Sequence, residues 1–82
     1  MLPQRDIKVL EFESAWWHYP EPKDRAIREY LGMSSTRYYQ ALRRLIDDEA
    51  AAHAYPLVIR RLRRMRAERR EALARRLDST VG

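Results

Sequence analysis

The sequence predicts an all-α fold, a compact helical domain with a central helix-turn-helix and a long basic C-terminal helix. Three observations lead there. Apolar residues recur at three- and four-residue spacing along the early segments. Prolines and a lone internal glycine fall between the segments, where they end one helix and open the next. The last part of the chain is a run of Arg, Leu, Ala, Glu and Met, all helix formers, unbroken by Gly or Pro. A chain of 82 residues has room for one domain, placed at 1–78 with a frayed tail at 79–82, and none for a separate catalytic one.

The first helix is expected over residues 3–18. Pro3 suits a first turn, and Ile7, Leu10, Ser14 and Trp17 share a face that Val9, Phe12 and Trp16 widen. Pro20 and Pro22 end it, because they lack backbone donors and push their predecessors out of the helical region. The second helix is short, residues 23–31, with Ala26, Ile27 and Leu31 inward and Arg25, Arg28 and Glu29 outward. Gly32 stands where a chain turns left-handed after a helix. Ser34 or Ser35 then caps a third helix, which Tyr38, Ala41, Leu42, Leu45 and Ile46 carry to about Asp47. Asp47, Asp48 and Glu49 suit the start of a short helix at 49–54, since a helix N-terminus favours negative charge. Pro56 opens the last and longest helix, expected over 56–77.

Net charge is +5, but like charges gathered in one region create the field that a polyanion feels. Residues 1–22 carry two basic and four acidic groups, 23–46 six and two, 47–59 none and three, and 60–82 nine and three. Two basic segments alternate with two acidic ones. Fifteen of the seventeen basic residues are Arg, whose rigid two-pronged donor set matches phosphates and guanine edges; a GC-rich genome favouring Arg codons produces the same ratio. Cysteine is absent, which excludes disulfides and thiolate metal sites and fits a reducing cytoplasm. No apolar stretch approaches the ~20 residues of a membrane span, and the N-terminus lacks the apolar core of a secretion signal. The expected location is the cytoplasm, at the nucleoid.

In a helix-turn-helix the two helices cross steeply, so a left-handed glycine joins them, an apolar residue just after it plugs the gap, and inward residues of both share a core. Ile27, Leu31, Gly32, Met33, Tyr38, Leu42 and Leu45 occupy those places. Four residues before the glycine, where a small residue usually lets the second helix pass, stands Arg28; Ala26 serves if the crossing is shifted. The outward residues of the second helix of the motif have the chemistry of base readout: Thr36, Arg37, Tyr39, Gln40, Arg43 and Arg44. Arg grips guanine O6 and N7, Gln pairs with adenine N6 and N7, and Tyr reaches a phosphate or a thymine methyl. Arg37, Gln40 and Arg44 line one face and are the leading readers. Ser34 and Ser35 at the helix N-terminus, Lys23, Arg25, and Arg60, Arg61, Arg63, Arg64 and Arg66 of the last helix are expected on phosphates.

The order F-E-x-x-W-W (12–17), K-x-x-A-I-R-E (23–29), G-x-S-x-T-R-Y-Y-Q (32–40), L-x-x-L-I-D (42–47) and P-L-x-x-x-R-L-R-R-x-R (56–66) resembles a family of small actinobacterial proteins long labelled as of unknown function and regarded as helix-turn-helix, nucleoid-associated or regulatory. The resemblance spans nearly the whole chain, and the T-R-Y-Y-Q core is its distinctive part; the helix-turn-helix core also resembles the DNA-reading region of sigma factors. It implies duplex DNA as partner, contacts through Thr36, Arg37, Tyr39 and Gln40, and a supporting role for the Arg-rich helix. Where such proteins often carry an acid before the proline, this chain has Tyr55.

Other residues invite functional readings with plainer competitors. Trp16 and Trp17 can stack on bases, but adjacent tryptophans on an amphipathic helix are more often core plus a half-buried neighbour. His18 and His53 lack a second ligand at helical spacing, so no metal is expected. Tyr38 and Tyr39 diverge by ~100° on a helix, which sends Tyr38 inward and Tyr39 outward. There is no glycine-rich phosphate loop, no thiol nucleophile and no Ser/His/acid arrangement, so the expectation is a protein that is not an enzyme and uses no cofactor. Two alternatives stand beside DNA binding. One is a protein-interaction module of the transcription machinery, or a homodimer, using Val58, Leu62, Met65, Ala72 and Leu73 of the last helix, a stripe that Arg69 and Arg76 interrupt. The other is RNA binding through the Arg-rich helix.

Overall fold

Ser14 ends the first helix earlier than the apolar spacing predicts. Its hydroxyl donates to the Glu11 carbonyl at 2.6 Å, a local bond that competes with the helical ladder, and Ala15 leaves the helical region at φ −148°. In the computed structural model, which describes the backbone of residues 1–81 and the side chains of 1–78, α1 is therefore Gln4–Glu13, followed by a 3₁₀ turn at Trp16–His18. The helix is also rolled relative to the expected face. Asp6, Val9, Leu10, Phe12 and Glu13 are buried, Ile7 and Ser14 are only partly covered, and Trp17 is 50% exposed. The roll follows from two carboxylates, Asp6 and Glu13, that find cationic partners on other elements and so occupy the inner face.

α2 begins as expected, at Lys23–Ala26, and continues into a wider turn of i→i+5 type at Ile27–Leu31. A single π turn of this kind inserts one residue into a helix and shifts its register. Ala26 and Ile27 are fully buried while Arg28 is exposed, so the small side chain on the inner face is Ala26. Gly32 follows with φ 65° and ψ 29°, the left-handed backbone that a side chain would strain. Ser34 then caps α3, Ser35–Leu45, its Oγ accepting from the Arg37 amide at 3.2 Å. Tyr38, Ala41, Leu42 and Leu45 are buried, the set that the spacing predicts, and Met33 and Leu31 pack against them.

α3 stops two residues short of Asp47, and Arg63 donates from Nε to the Ile46 carbonyl at 2.8 Å, satisfying a helix-end acceptor. Asp48 caps α4, Glu49–Ala54, its Oδ1 accepting from the amides of Ala50 at 2.8 Å and Ala51 at 3.3 Å. Asp47 pairs with Arg66 instead. α5 starts at Pro56 and runs to Val81, past the expected end near Leu77. The expected frayed tail, 79–82, falls on residues whose side chains, and for Gly82 the backbone, lie outside the described part. Tyr55 takes the place before Pro56: its carbonyl accepts from the Ile59 amide at 3.0 Å.

Among the described residues the result is five α-helices around one core, to which every helix contributes: Val9, Leu10 and Phe12 of α1; Ala26 and Ile27; Tyr38, Leu42 and Leu45 of α3; Ala51 of α4; Val58 and Ile59 of α5. Phe12 stacks on Tyr19 and meets Tyr38 edge-on. Only the first turns of α5 join this core, and every side chain from 67 to 78 is exposed. No helix among the described residues is long and apolar enough to cross a membrane.

Candidate nucleic-acid interface

The buried stripe of α3 determines what its other faces present. At 100° per residue, Thr36, Gln40 and Arg43 lie opposite the stripe and are exposed. Arg37 and Arg44 flank them on the side where α1 passes, and Tyr39 flanks them on the side of α2. Between α1 and α3 runs an open groove of about 820 Å³, walled by Gln4, Arg5 and Lys8 on α1, floored near the turn by Gly32, Met33 and Ser34, and walled by Arg37, Gln40 and Arg44 on α3. The three residues expected to act together, Arg37, Gln40 and Arg44, thus share one concave surface.

Its electrostatics are one-sided. Arg5, Lys8, Arg37 and Arg44 line it and no carboxylate does. The nearest acid, Asp6, lies beneath the surface with a side chain only 3% exposed, and it accepts both Nη atoms of Arg44, at 2.9 and 3.1 Å. That hydrogen-bonded contact raises the Arg44 guanidinium above its ordinary value, outweighing the opposing effect of burial. Arg44 therefore remains a cation at any accessible pH, and it is held in place.

The other expected contacts divide sharply. Tyr39 is half-buried and packs edge-on against Tyr38. Lys23 points inward: its Nζ lies 3.1 Å from Glu13 and over the rings of Trp16, Tyr38 and Tyr39. Arg61 donates to the Glu13 carbonyl at 2.8 Å, approaches its carboxylate at 3.6 Å and covers the Trp17 ring. Arg63 is held by Ile46, as described. Arg66 makes a two-pronged bond to Asp47 at 3.0 and 3.1 Å, which holds the Asp47 carboxyl below the usual range. Four cations expected on phosphates are thus engaged within the fold. Arg60 and Arg64 are exposed on α5, outside the groove. Arg25 is exposed on α2; nearby Glu21 is held below the usual carboxylate range chiefly by the Tyr30 hydroxyl, with Arg25 a lesser contributor. Ser34 spends its hydroxyl oxygen on the cap, and Ser35 is half-buried.

Arg5, Lys8 and Gln4 were not among the residues expected at the site. The net negative charge of residues 1–22 hid them, because two of its four acids, Asp6 and Glu13, are buried against cations and leave α1 with a basic groove edge. Among the described residues, no group of three or more His, Cys, Asp or Glu side chains is placed to hold a metal ion.

Fold and surface together define a small all-helical protein with a helix, glycine turn and capped helix beside a cationic groove. The chain belongs to the family described as "Protein of unknown function (DUF3263)", whose model matches residues 1–75. No curated protein and no solved structure matches it.

Proposed function

We propose that this protein binds duplex DNA, with α3 entering the major groove as the recognition helix of a helix-turn-helix. The observation that carries the reading is the carboxylate-free groove, in which Arg5, Lys8, Arg37 and Arg44 adjoin the exposed polar face of α3. Cations gathered on one surface release condensed counterions from the phosphate backbone, and that release supplies most non-specific affinity. Thr36, Arg37, Gln40, Arg43 and Arg44 are the base-reading set, with Tyr39 at its edge. Arg25, Arg60 and Arg64 remain for phosphates, whereas Lys23, Arg61, Arg63 and Arg66 serve the fold. With the resemblance to small actinobacterial helix-turn-helix proteins, this reading makes the protein a nucleoid-associated or regulatory factor acting on cytoplasmic DNA.

The test is fluorescence-anisotropy titration of GC-rich and AT-rich duplexes at several salt concentrations. Micromolar or tighter binding is expected, with a log–log salt slope of about −4 to −7, since each phosphate contact contributes about 0.9. Arg37→Ala and Gln40→Ala should each cost about 1–3 kcal/mol on preferred sequences and less on random DNA. Absence of binding at low salt would refute the reading.

A second reading has its own observation. Met65, Leu73 and Leu77 are 45, 54 and 58% exposed on the part of α5 that leaves the core, a surface suited to a second copy or a protein partner. The two readings can coexist, because many helix-turn-helix proteins dimerise so that two recognition helices meet successive grooves; sedimentation of the free protein tests self-association, and the titration above tests DNA binding.

A further inference from the structure

α1 is not only a packing helix. We propose that it is the second nucleic-acid-binding element of the protein: Arg5 and Lys8 take the phosphates bordering the base pairs that α3 reads, and Asp6 is a positioning residue that holds Arg44 between them. The inference rests on the DNA reading above and adds to it the residues of a helix that the motif does not include.

The argument begins with spacing. Arg5 and Lys8 are three residues apart, so they share a face of α1, and that face forms the wall opposite Arg37 and Gln40. Neither makes an ion pair among the described residues, in a molecule where Lys23, Arg61 and Arg66 are each paired with a carboxylate. An unpaired cation across an open groove from a helix that reads bases is placed for the phosphate at the groove edge, where contacts set register and orientation without carrying sequence information.

Asp6 points the other way, into the protein, and its role follows from the geometry of the fork. Both Asp6 oxygens are occupied by Arg44 Nη1 and Nη2. A guanidinium has five N–H donors in one plane, so an end-on fork leaves the side edge, Nε–H and the second Nη2–H, unoccupied. That edge is itself a two-donor fork of the kind that fits guanine O6 and N7. The Arg44 side chain is 59% exposed although it is anchored, so the free edge reaches solvent from a fixed position. Free Arg side chains surrender rotamer entropy when immobilised; here the fold has already fixed the group before DNA arrives. An Asn at position 6 offers one acceptor and one donor, and the donor repels an Nη. Asp6→Asn therefore releases Arg44 without removing it.

The experiment selects a preferred duplex with the full-length protein and titrates that duplex and a random one over a salt series. Arg5→Ala/Lys8→Ala should flatten the salt slope by about 1.8, two contacts at about 0.9 each, and weaken both duplexes alike. The charge-matched control Arg69→Ala/Arg70→Ala, on the part of α5 away from the core, should leave the slope within half of that change. Asp6→Asn should lower the preference for the selected duplex about tenfold, within the range of one two-pronged base contact, with the slope unchanged, and should have no further effect once Arg44→Ala is in place. A structural role alone would weaken both duplexes equally. Both α1 residues are exposed, so the Arg5/Lys8 variant keeps the proposal testable if Asp6→Asn unfolds. Equal slopes for the Arg5/Lys8 variant and wild type, with wild type binding, would overturn the role of α1 and leave DNA binding standing. Failure of wild type to bind any duplex would overturn both.

Discussion

Gly32 is the residue on which the relation between α2 and α3 turns. Its φ of 65° lies in the left-handed region, and a Cβ built there meets nothing within 4 Å. Space is therefore not the obstacle to a larger residue; the backbone is. An L-residue in this conformation costs about 1–2 kcal/mol, and Asn less than others because its side chain bonds locally. Gly32→Ala should accordingly lower the melting temperature by about 4–8 °C per kcal/mol for a domain of this size, with Gly32→Asn in between, in a thermal melt followed by circular dichroism. An unchanged melting temperature for the alanine variant would mean that the turn is not held left-handed in solution. Ser34 works beside it, since its cap on the Arg37 amide orients the first turn of the helix that carries the groove residues.

Among the elements, α5 divides into two parts with different physics. Residues 58, 59 and 62 join or pack on the core, and Arg61, Arg63 and Arg66 tie the same stretch to Glu13, Ile46 and Asp47. From 67 to 78 every side chain is exposed. Isolated helices of this length are marginal in water because nucleation is costly, whereas extending a formed helix adds one bond per residue fixed. The outer half is therefore helical by continuation from the docked half. Deleting residues 67–82 should leave the melting temperature within about 2 °C, as expected when every described side chain lost, 67–78, is exposed, while helix content falls in proportion. A drop of 10 °C or more would show that the arm docks on the domain or on a second copy.

At the scale of the molecule, Glu13 joins four helices. Its buried carboxylate accepts from the Tyr38 hydroxyl of α3 and from Lys23 of α2 and lies 3.6 Å from the Arg61 guanidinium of α5, which donates to the Glu13 backbone carbonyl. Removing one partner from such a cluster leaves the others unpaired in a low dielectric, which costs more than a surface pair does. Burial first, and the Glu13 carboxylate second, push the Tyr38 hydroxyl far above its ordinary ionisation range. An unfolded tyrosine ionises near pH 10, so above that pH the unfolded chain loses a proton that the folded chain keeps. The associated stability is present below pH 10 and declines above it, by about 1.4 kcal/mol per pH unit. Urea unfolding between pH 9 and 11 should show this decline in wild type and a shallower one in Tyr38→Phe. Tyr38→Phe should also be less stable at pH 7 by about 1.5–3 kcal/mol, the range for one hydrogen bond to a charged group, since Lys23 still meets the same Glu13 oxygen. Parallel curves above pH 10 would contradict the assignment.

Much of the fold is legible in the sequence, and the boundary is physical. The order of helices, the left-handed turn at Gly32, a serine cap at 34 or 35, the inward face of α3 and the opening of α5 at Pro56 all depend on residues within a turn of one another, and their signals are periods, caps and backbone preferences. The alignment of Arg37, Gln40 and Arg44 on one face of α3 followed from the same local spacing, whereas the concavity comes from α1 packed beside them. The roll of α1 and the division of the cations did not. Asp6 meets Arg44 across 38 residues, and Arg61 meets Glu13 across 48. A count of charges cannot distinguish a solvated arginine from one bound to a buried carboxylate, and residues 1–22 read as acidic while their groove edge is basic. Local chemistry thus determined which helices form and which face α3 buries; only the packing of distant segments decided which cations remain free, because ion pairing is settled by proximity in space.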